Sequence, residues 1–184
     1  MSLDELRAQC LNCKKCGLCE TRTNVVFGMG NPDSKVLFIG EGPGENEDLQ
    51  GKPFVGRGGM LLDKMLAVVD LSREKNIYIA NMVKCRPPKN RDPLPEEEEA
   101  CMAYLRQQVE ILQPKILVCL GRIAAQRIIS PDFRITKDHG KWYERGNMKI
   151  MATFHPSALL RDPRKKEDML VDMKNIKKLL DETK

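Results

Sequence analysis

The sequence has no apolar run that approaches the roughly 20 residues of a membrane-spanning helix. Its opening residues, Met1-Ser2-Leu3-Asp4-Glu5, are acidic and lack the basic-then-apolar build of a signal peptide. Neither membrane association nor export is therefore expected, and a reducing intracellular setting follows. Phosphate-cradling motifs are missing as well. There is no Gly-x4-Gly-Lys-Ser/Thr, and Gly40-x-Gly42-x-Gly44 does not have the spacing of the dinucleotide fingerprint. Pro43 also stands where a phosphate-binding amide would be wanted, so P-loop and Rossmann functions are disfavoured. No internal repeat, low-complexity tract or linker divides the 184 residues, and one domain, 1–184, is expected. Charge is only mildly unbalanced: a net +5 with a pI near 8.8 permits a polyanionic partner without demanding one.

What the chain has in quantity is cysteine. In a reducing compartment, seven cysteines argue metal ligation more than disulfides. The run Cys10-x2-Cys13-x2-Cys16-x2-Cys19 looks much like a ferredoxin-type tract whose last gap is one residue short. Four unligated thiols on a loop is the bland reading and the weaker one. Metal or Fe–S binding is expected, with the ligating set left open. Cys119, in the middle of an apolar run, reads as a small core residue.

The backbone pattern is clearest at Val36-Leu37-Phe38-Ile39, followed at once by the glycine turn Gly40-Glu41-Gly42-Pro43-Gly44-Glu45. Four consecutive apolar residues suit a strand covered on both faces, and the carboxyl ends of such strands form the binding crevice of open α/β sheets. Ile77–Asn81 and Ile116–Leu120 repeat the pattern, and Lys149–Thr153 pairs with 142–144 as a hairpin before His155-Pro156-Ser157. A short strand and turn fit 23–30. Helical spacing covers 60–69, about 95–112, 123–129 and an amphipathic 165–180. Strands alternating with helices predict a three-layer α/β/α domain around a central, mostly parallel four-stranded sheet.

Right-handed crossovers bring the strand ends, with Glu41, Asn81 and His155, to one edge. Singly each has an ordinary explanation, since His beside Pro often caps a helix and Asn often forms turns. Together, with Phe54 for stacking, they describe a pocket for a small planar polar ligand.

Four blocks carry a resemblance: Gly40-Glu41-Gly42-Pro43-Gly44-Glu45, Gly51-Lys52-Pro53-Phe54-Val55-Gly56, Asn81-Met82-Val83-Lys84-Cys85-Arg86-Pro87-Pro88 and His155-Pro156-Ser157. In this order they resemble the signature of family 4 uracil-DNA glycosylases, the Fe–S-containing prokaryotic branch. The resemblance implies the uracil-DNA glycosylase-like fold, a 4Fe–4S cluster, and hydrolysis of the N-glycosidic bond of deoxyuridine in double- or single-stranded DNA. A prokaryotic cytoplasmic protein acting as a monomer is then expected. The family's cluster ligands match Cys13, Cys16, Cys85 and Cys101, with Cys10 and Cys19 as extras. A cluster held by the four N-terminal cysteines alone stays open.

For the pocket, the resemblance implies that Phe54 stacks on flipped-out uracil and Asn81 reads its O4 and N3–H edge. His155 would donate to O2, and Gly40, Glu41 and Gly42 would hold the base through backbone groups. Glu47 is a candidate wall against a C5 methyl or a candidate for activating water. The Asp that positions water elsewhere in the superfamily is replaced here by Gly42, and Glu41 completes the candidate catalytic set. The stretch His155-Pro156-Ser157-Ala158-Leu159-Leu160-Arg161 resembles the family's intercalation loop, with Leu159 or Leu160 as wedge. Lys84, Arg86, Lys89, Arg91, Arg161 and Arg164 are expected phosphate partners, against a bland reading as solvated charge. No His-bearing insertion follows Cys85, so covalent trapping of the kind one relative performs is not expected. The competing class is a non-catalytic Fe–S or zinc protein that binds nucleic acid or transfers electrons. Such a protein has no need of Phe54, Asn81 and His155.

Overall fold

The computed structural model describes residues 1–183. In chain order the strands are β1 (Met29–Gly30), β2 (Val36–Gly40), β3 (Ile77–Asn81), β4 (Ile116–Leu120), β5 (Tyr143–Arg145) and β6 (Met148–Thr153). The helices are α1 (Leu3–Leu11), α2 (Glu45–Gln50), α3 (Arg57–Val68), α4 (Pro95–Leu112), α5 (Arg122–Ile128), α6 (Ile135–Asp138), α7 (Pro156–Arg161) and α8 (Lys166–Glu182). Every residue of β2, β3 and β4 is buried, as unbroken apolar runs require when helices cover both faces.

The sheet order is β1-β3-β2-β4-β6-β5. Its four inner strands are parallel, as expected. The sheet nonetheless has six strands rather than four, because β1 and β5 pair antiparallel at the two edges. β1 has only two residues and is made possible by glycine. A Cβ on Gly30, at φ 145°, would lie 2.4 Å from the Ile77 carbonyl oxygen. Periodicity cannot reveal a strand that short.

Alternation along the strands divides the core in two. One face, with Val36, Phe38, Ile77, Ile79, Val118 and Met151, packs on α3 and α8. The other, with Leu37, Ile39, Ala80, Leu117, Cys119 and Ala152, packs on α4 and α5. Cys119 is thus the core residue it was expected to be. A third cluster (Leu6, Cys10, Leu18, Phe27, Val83 and Cys85, with Tyr104 of α4) fastens α1 to the end of the sheet.

Register then aligns the strand ends: Gly40 stands beside Asn81, and Leu120 beside Thr153. The turns that leave β2, β3, β4 and β6 therefore share one edge.

Candidate functional site

A cleft of about 540 Å³ opens at that edge, within the range of small-molecule sites. Its lining includes Glu41, Gly42, Phe54, Asn81, His155 and Arg161. The sheet thus brings the aromatic ring, the amide and the imidazole predicted from the sequence into one cavity.

Asn81 ends β3 and is 1% exposed, with its side chain toward the cleft. Its Oδ1 is the one buried side-chain nitrogen or oxygen without a hydrogen-bond partner among the described residues. Leaving such an atom unpaired costs about 1–3 kcal/mol, which a ligand with a donor at that point would recover. Gly40 sits beneath the cleft and makes the arrangement possible. A Cβ there would lie 2.5 Å from both Asn81 Oδ1 and Phe54 Cζ. Gly40 is not itself part of the cleft lining. Its carbonyl accepts from the Met82 amide (2.9 Å), and its missing side chain leaves room for the other two.

His155 is the N-cap of α7. Its Nδ1 accepts from the Ser157 amide (3.1 Å) and lies 2.8 Å from Ser157 Oγ. Since an amide can only donate, Nδ1 carries no proton and the ring hydrogen is on Nε2. Burial, aided by Arg161 and opposed by Glu47, lowers its pKa to about 4. His155 is accordingly a neutral N–H donor near pH 7. Gly121 at φ 93° lets β4's turn pass close beneath, since a Cβ there would stand 2.9 Å from His155 Cβ. The Phe54 and His155 rings are 5.7 Å apart, tilted by 38°.

The acidic residues take different parts. Burial pushes the Glu41 carboxyl up to about 7, with Asp92 as hydrogen-bonded neighbour and Arg122 opposing. Glu47 uses both oxygens on the backbone: Oε1 accepts from Gly44 N (3.0 Å), and Oε2 from Val55 N (2.8 Å) and Gly56 N (2.7 Å). It lines the cleft and at the same time staples α2 to the segment after Phe54. Gly42 has little room for a larger residue, because a Cβ there would lie 2.7 Å from Val83 Cγ2.

A second cavity is ringed by the free thiols of Cys10, Cys13, Cys16, Cys19, Cys85 and Cys101. Four of the sulfurs are met by N–H donors. Lys15 N reaches Cys13 (3.5 Å), Arg22 Nη1 reaches Cys85 (3.3 Å), Lys84 N reaches Cys101 (3.3 Å), and the Leu18 amide faces Cys16. Donors of this kind favour thiolate over thiol, but burial outweighs them and raises the Cys16 and Cys85 thiols and pushes Cys101 up to about 11. Cys10 is fully buried, and that burial pushes its thiol up to about 12. Among the described residues, no three His, Cys, Asp or Glu side chains close on a single metal-ion position.

The sequence model of the Uracil DNA glycosylase superfamily matches residues 27–176, which span the whole lining of the cleft and, of the six cavity thiols, Cys85 and Cys101. The chain belongs to the uracil-DNA glycosylase superfamily. It is 46% identical over 186 residues to the type-4 uracil-DNA glycosylase of Archaeoglobus fulgidus, covering 97% of this chain and 93% of that protein. The type-4 uracil-DNA glycosylase of Thermotoga maritima is 49% identical over 154 residues, 82% of this chain and 79% of its own. A type-5 uracil-DNA glycosylase of Thermus thermophilus is more distant, at 31% over 152 residues, with 72% and 68% covered.

In this superfamily member, two of the expected DNA contacts are corrected by burial. Lys84 is 1% exposed. Its Nζ donates to the Asn81 carbonyl (2.8 Å) and to Gln108 Oε1 (2.6 Å), so it reaches no phosphate. Leu159 is wholly buried in the core, whereas its neighbour Leu160 is 40% exposed, so of the two only Leu160 presents its side chain to solvent. Lys89 is exposed, and Arg86 binds Asn90 Oδ1 (2.7 Å). Arg91 is held in a bidentate pair by Glu97 (2.8 and 3.0 Å) and Arg164 by Asp162 (2.9 and 3.1 Å), so both enter any interface partly neutralised. Arg161 is exposed at the cleft mouth, and Ser157 caps the imidazole. Sequence reasoning passed over Arg57, an exposed cation on the cleft whose only signal was its place between Gly56 and Gly58. Among the described residues no helix is long and apolar enough to cross a membrane.

Proposed function

We infer that this protein excises uracil from DNA, hydrolysing the N-glycosidic bond of deoxyuridine and leaving an abasic site for base excision repair. The reading places it in the prokaryotic cytoplasm, working as a monomer. The observation that carries it is the unpartnered amide oxygen of Asn81, buried beside an aromatic ring and a neutral imidazole donor. An extruded uracil has a flat face for Phe54, an N3–H and O4 edge for the Asn81 amide, and an O2 for His155 Nε2–H.

As C1′–N1 lengthens, negative charge collects on the base and positive charge on the sugar. A preorganised donor at O2 stabilises the base anion where it develops, a contribution that grows towards the transition state. Because His155 is neutral, it offers a hydrogen bond without having to give up a proton. Position 42 carries no side chain and both Glu47 oxygens already accept backbone amides, which supports a reading in which neither takes a proton from water. The chemistry assigned to this pocket is therefore departure of a stabilised leaving group, followed by water. Extrusion itself costs a few kcal/mol, least at U·G pairs or in single strands. Leu160 fills the gap while Arg161, Arg57, Arg86 and Lys89 contact phosphates.

For the 4Fe–4S cluster the donor set fits: Cys13, Cys16, Cys85 and Cys101 are the thiols met by N–H groups. A bound cluster would supply a four-point staple between the N-terminal segment, the loop after β3, and α4. These residues ring a cavity instead of a point, which suits a cluster better than one zinc ion. Anaerobically purified protein is expected to be brown, to lose its visible absorbance in Cys85→Ala or Cys101→Ala, and to keep it in Cys10→Ala or Cys19→Ala. The reverse pattern would move the cluster to the N-terminal tract.

The activity is tested with uracil-containing oligonucleotides treated with alkali after incubation. Strand breaks at uracil are expected. No breaks with U·G, U·A or single-stranded substrate would remove the enzyme reading and leave a cluster protein that binds nucleic acid or carries electrons.

A further inference from the structure

Phe54 has a backbone that its residue type rarely adopts. Its φ is 52°, in the left-handed region that glycine, Asn and Asp favour. The ring nonetheless points into the cleft and is 7% exposed, so its surroundings must impose this conformation.

Most of that imposition comes from Arg73, in the segment between α3 and β3. Its Nη1 donates to the Pro53 carbonyl and its Nη2 to the Phe54 carbonyl, while Nε donates to Asp63 Oδ1 of α3 (3.0 Å). The guanidinium fork thus takes hold of two consecutive carbonyls and is itself anchored to a helix. A planar, permanently charged group is suited to this, and an ammonium is not. Two further features complete the grip. Gly59 lets α3 lie against the turn, since a Cβ there would sit 2.0 Å from the Phe54 carbonyl oxygen. Glu47 holds the next two amides, those of Val55 and Gly56. Arg73 does not line the base cleft. It borders a separate groove with Met29, Val55 and Asp63, on the other side of the turn.

We propose that Arg73 is a positioning residue for base recognition: it fixes the left-handed turn that presents the Phe54 ring to the extruded pyrimidine. This rests on reading the cleft as the uracil pocket. Arg73 touches neither DNA nor base, and its effect passes entirely through Phe54.

The experiment compares Arg73→Met, Arg73→Lys, Phe54→Ala and the Arg73→Met/Phe54→Ala double variant in steady-state uracil excision, with free uracil as product inhibitor. Arg73→Met should raise KM and weaken uracil inhibition on the order of tenfold, the scale of one base–aromatic stack, with kcat changed less. Arg73→Lys should recover only part. The double variant should match Phe54→Ala alone, and the slope of log affinity for DNA against log salt should stay at the wild-type value. Losses that multiply in the double variant would overturn the proposal. So would a slope reduced by about 0.9, which would make Arg73 a phosphate contact. If Arg73→Met fails to fold, Asp63→Ala removes the anchor alone and should weaken uracil inhibition in the same direction by less. Unchanged inhibition in Asp63→Ala would count against the proposal. A wild-type protein that excises no uracil would instead remove the pocket reading on which all this rests.

Discussion

The base cleft and the thiol cavity interleave in sequence, Asn81 and Pro87 lining the one and Lys84 and Cys85 the other, yet they are built on different principles. The cleft is made by the register of buried parallel strands, and its side chains are aimed by strand ends, a helix cap and a gripped turn. The thiol cavity lies outside the sheet, assembled from α1, the turn after it, the loop after β3, and α4. One is therefore set by a single sheet, while the other joins segments from separate parts of the chain that a ligand would tie together. Residues 81–85 join them. Lys84 sends its amide to Cys101 and its ammonium to the Asn81 carbonyl, so the strand end on the cleft is braced against the thiols.

The comparison breaks most sharply if variants on the cleft side also disturb the thiol side. Asn81→Ala and His155→Ala should each lower kcat by about 10²–10³, the usual loss for one preorganised donor, with the brown colour retained. Loss of colour in either variant, read from visible absorbance, would mean the two regions are one unit.

Next in size is the contrast within α7. Leu159→Ala removes a fully buried side chain and should cost about 2–5 kcal/mol of stability in denaturant unfolding. Leu160→Ala should leave stability within about 0.5 kcal/mol and slow excision from duplex DNA more than from single strands. Equal effects of Leu160→Ala on both substrates would remove its role as wedge.

pH should separate two groups on the cleft. His155, lowered to about 4 from its ordinary 6.5, works in its neutral form. Activity should persist through pH 6 and be lost as pH falls through about 4. Stability tied to this imidazole should be fully present above 6.5 and decline from there down to about 4, because the unfolded chain takes up the proton first. Glu41 is raised to about 7, so its charge appears only as pH rises through neutrality. DNA binding should weaken across that interval, and Glu41→Gln should flatten the dependence. An unchanged profile in the variant would assign the limb to another group.

The smallest effect belongs to the rim. Arg161→Ala should weaken binding uniformly across sequences and lower the salt slope by about 1, whereas Lys84→Met should leave that slope unaltered. A reduced slope in Lys84→Met would put the lysine back at the DNA surface.

The inner sheet was legible because strands buried on both faces have to be written as unbroken apolar runs. The edges were not: β1 depends on the close approach of Gly30, and a two-residue pairing leaves no period to read. The three side chains that meet in the cleft were legible as polar residues at strand ends and a ring beside a glycine turn. What stayed hidden was the support beneath them. Lys84 read as surface charge because lysine is seldom buried, and only the fold reveals two carbonyl-type acceptors waiting for it. Glu47 read as a wall, although three backbone amides claim it. Arg73 gave no signal, since its partners are carbonyl oxygens 19 and 20 residues away.

The most direct measurement is a crystal structure with free uracil in the cleft. The account predicts the ring stacked on Phe54, the pyrimidine edge paired with the Asn81 amide, and O2 within hydrogen-bond reach of His155 Nε2. Uracil bound elsewhere, or bound in the cleft with Asn81 Oδ1 still unpartnered, would contradict it.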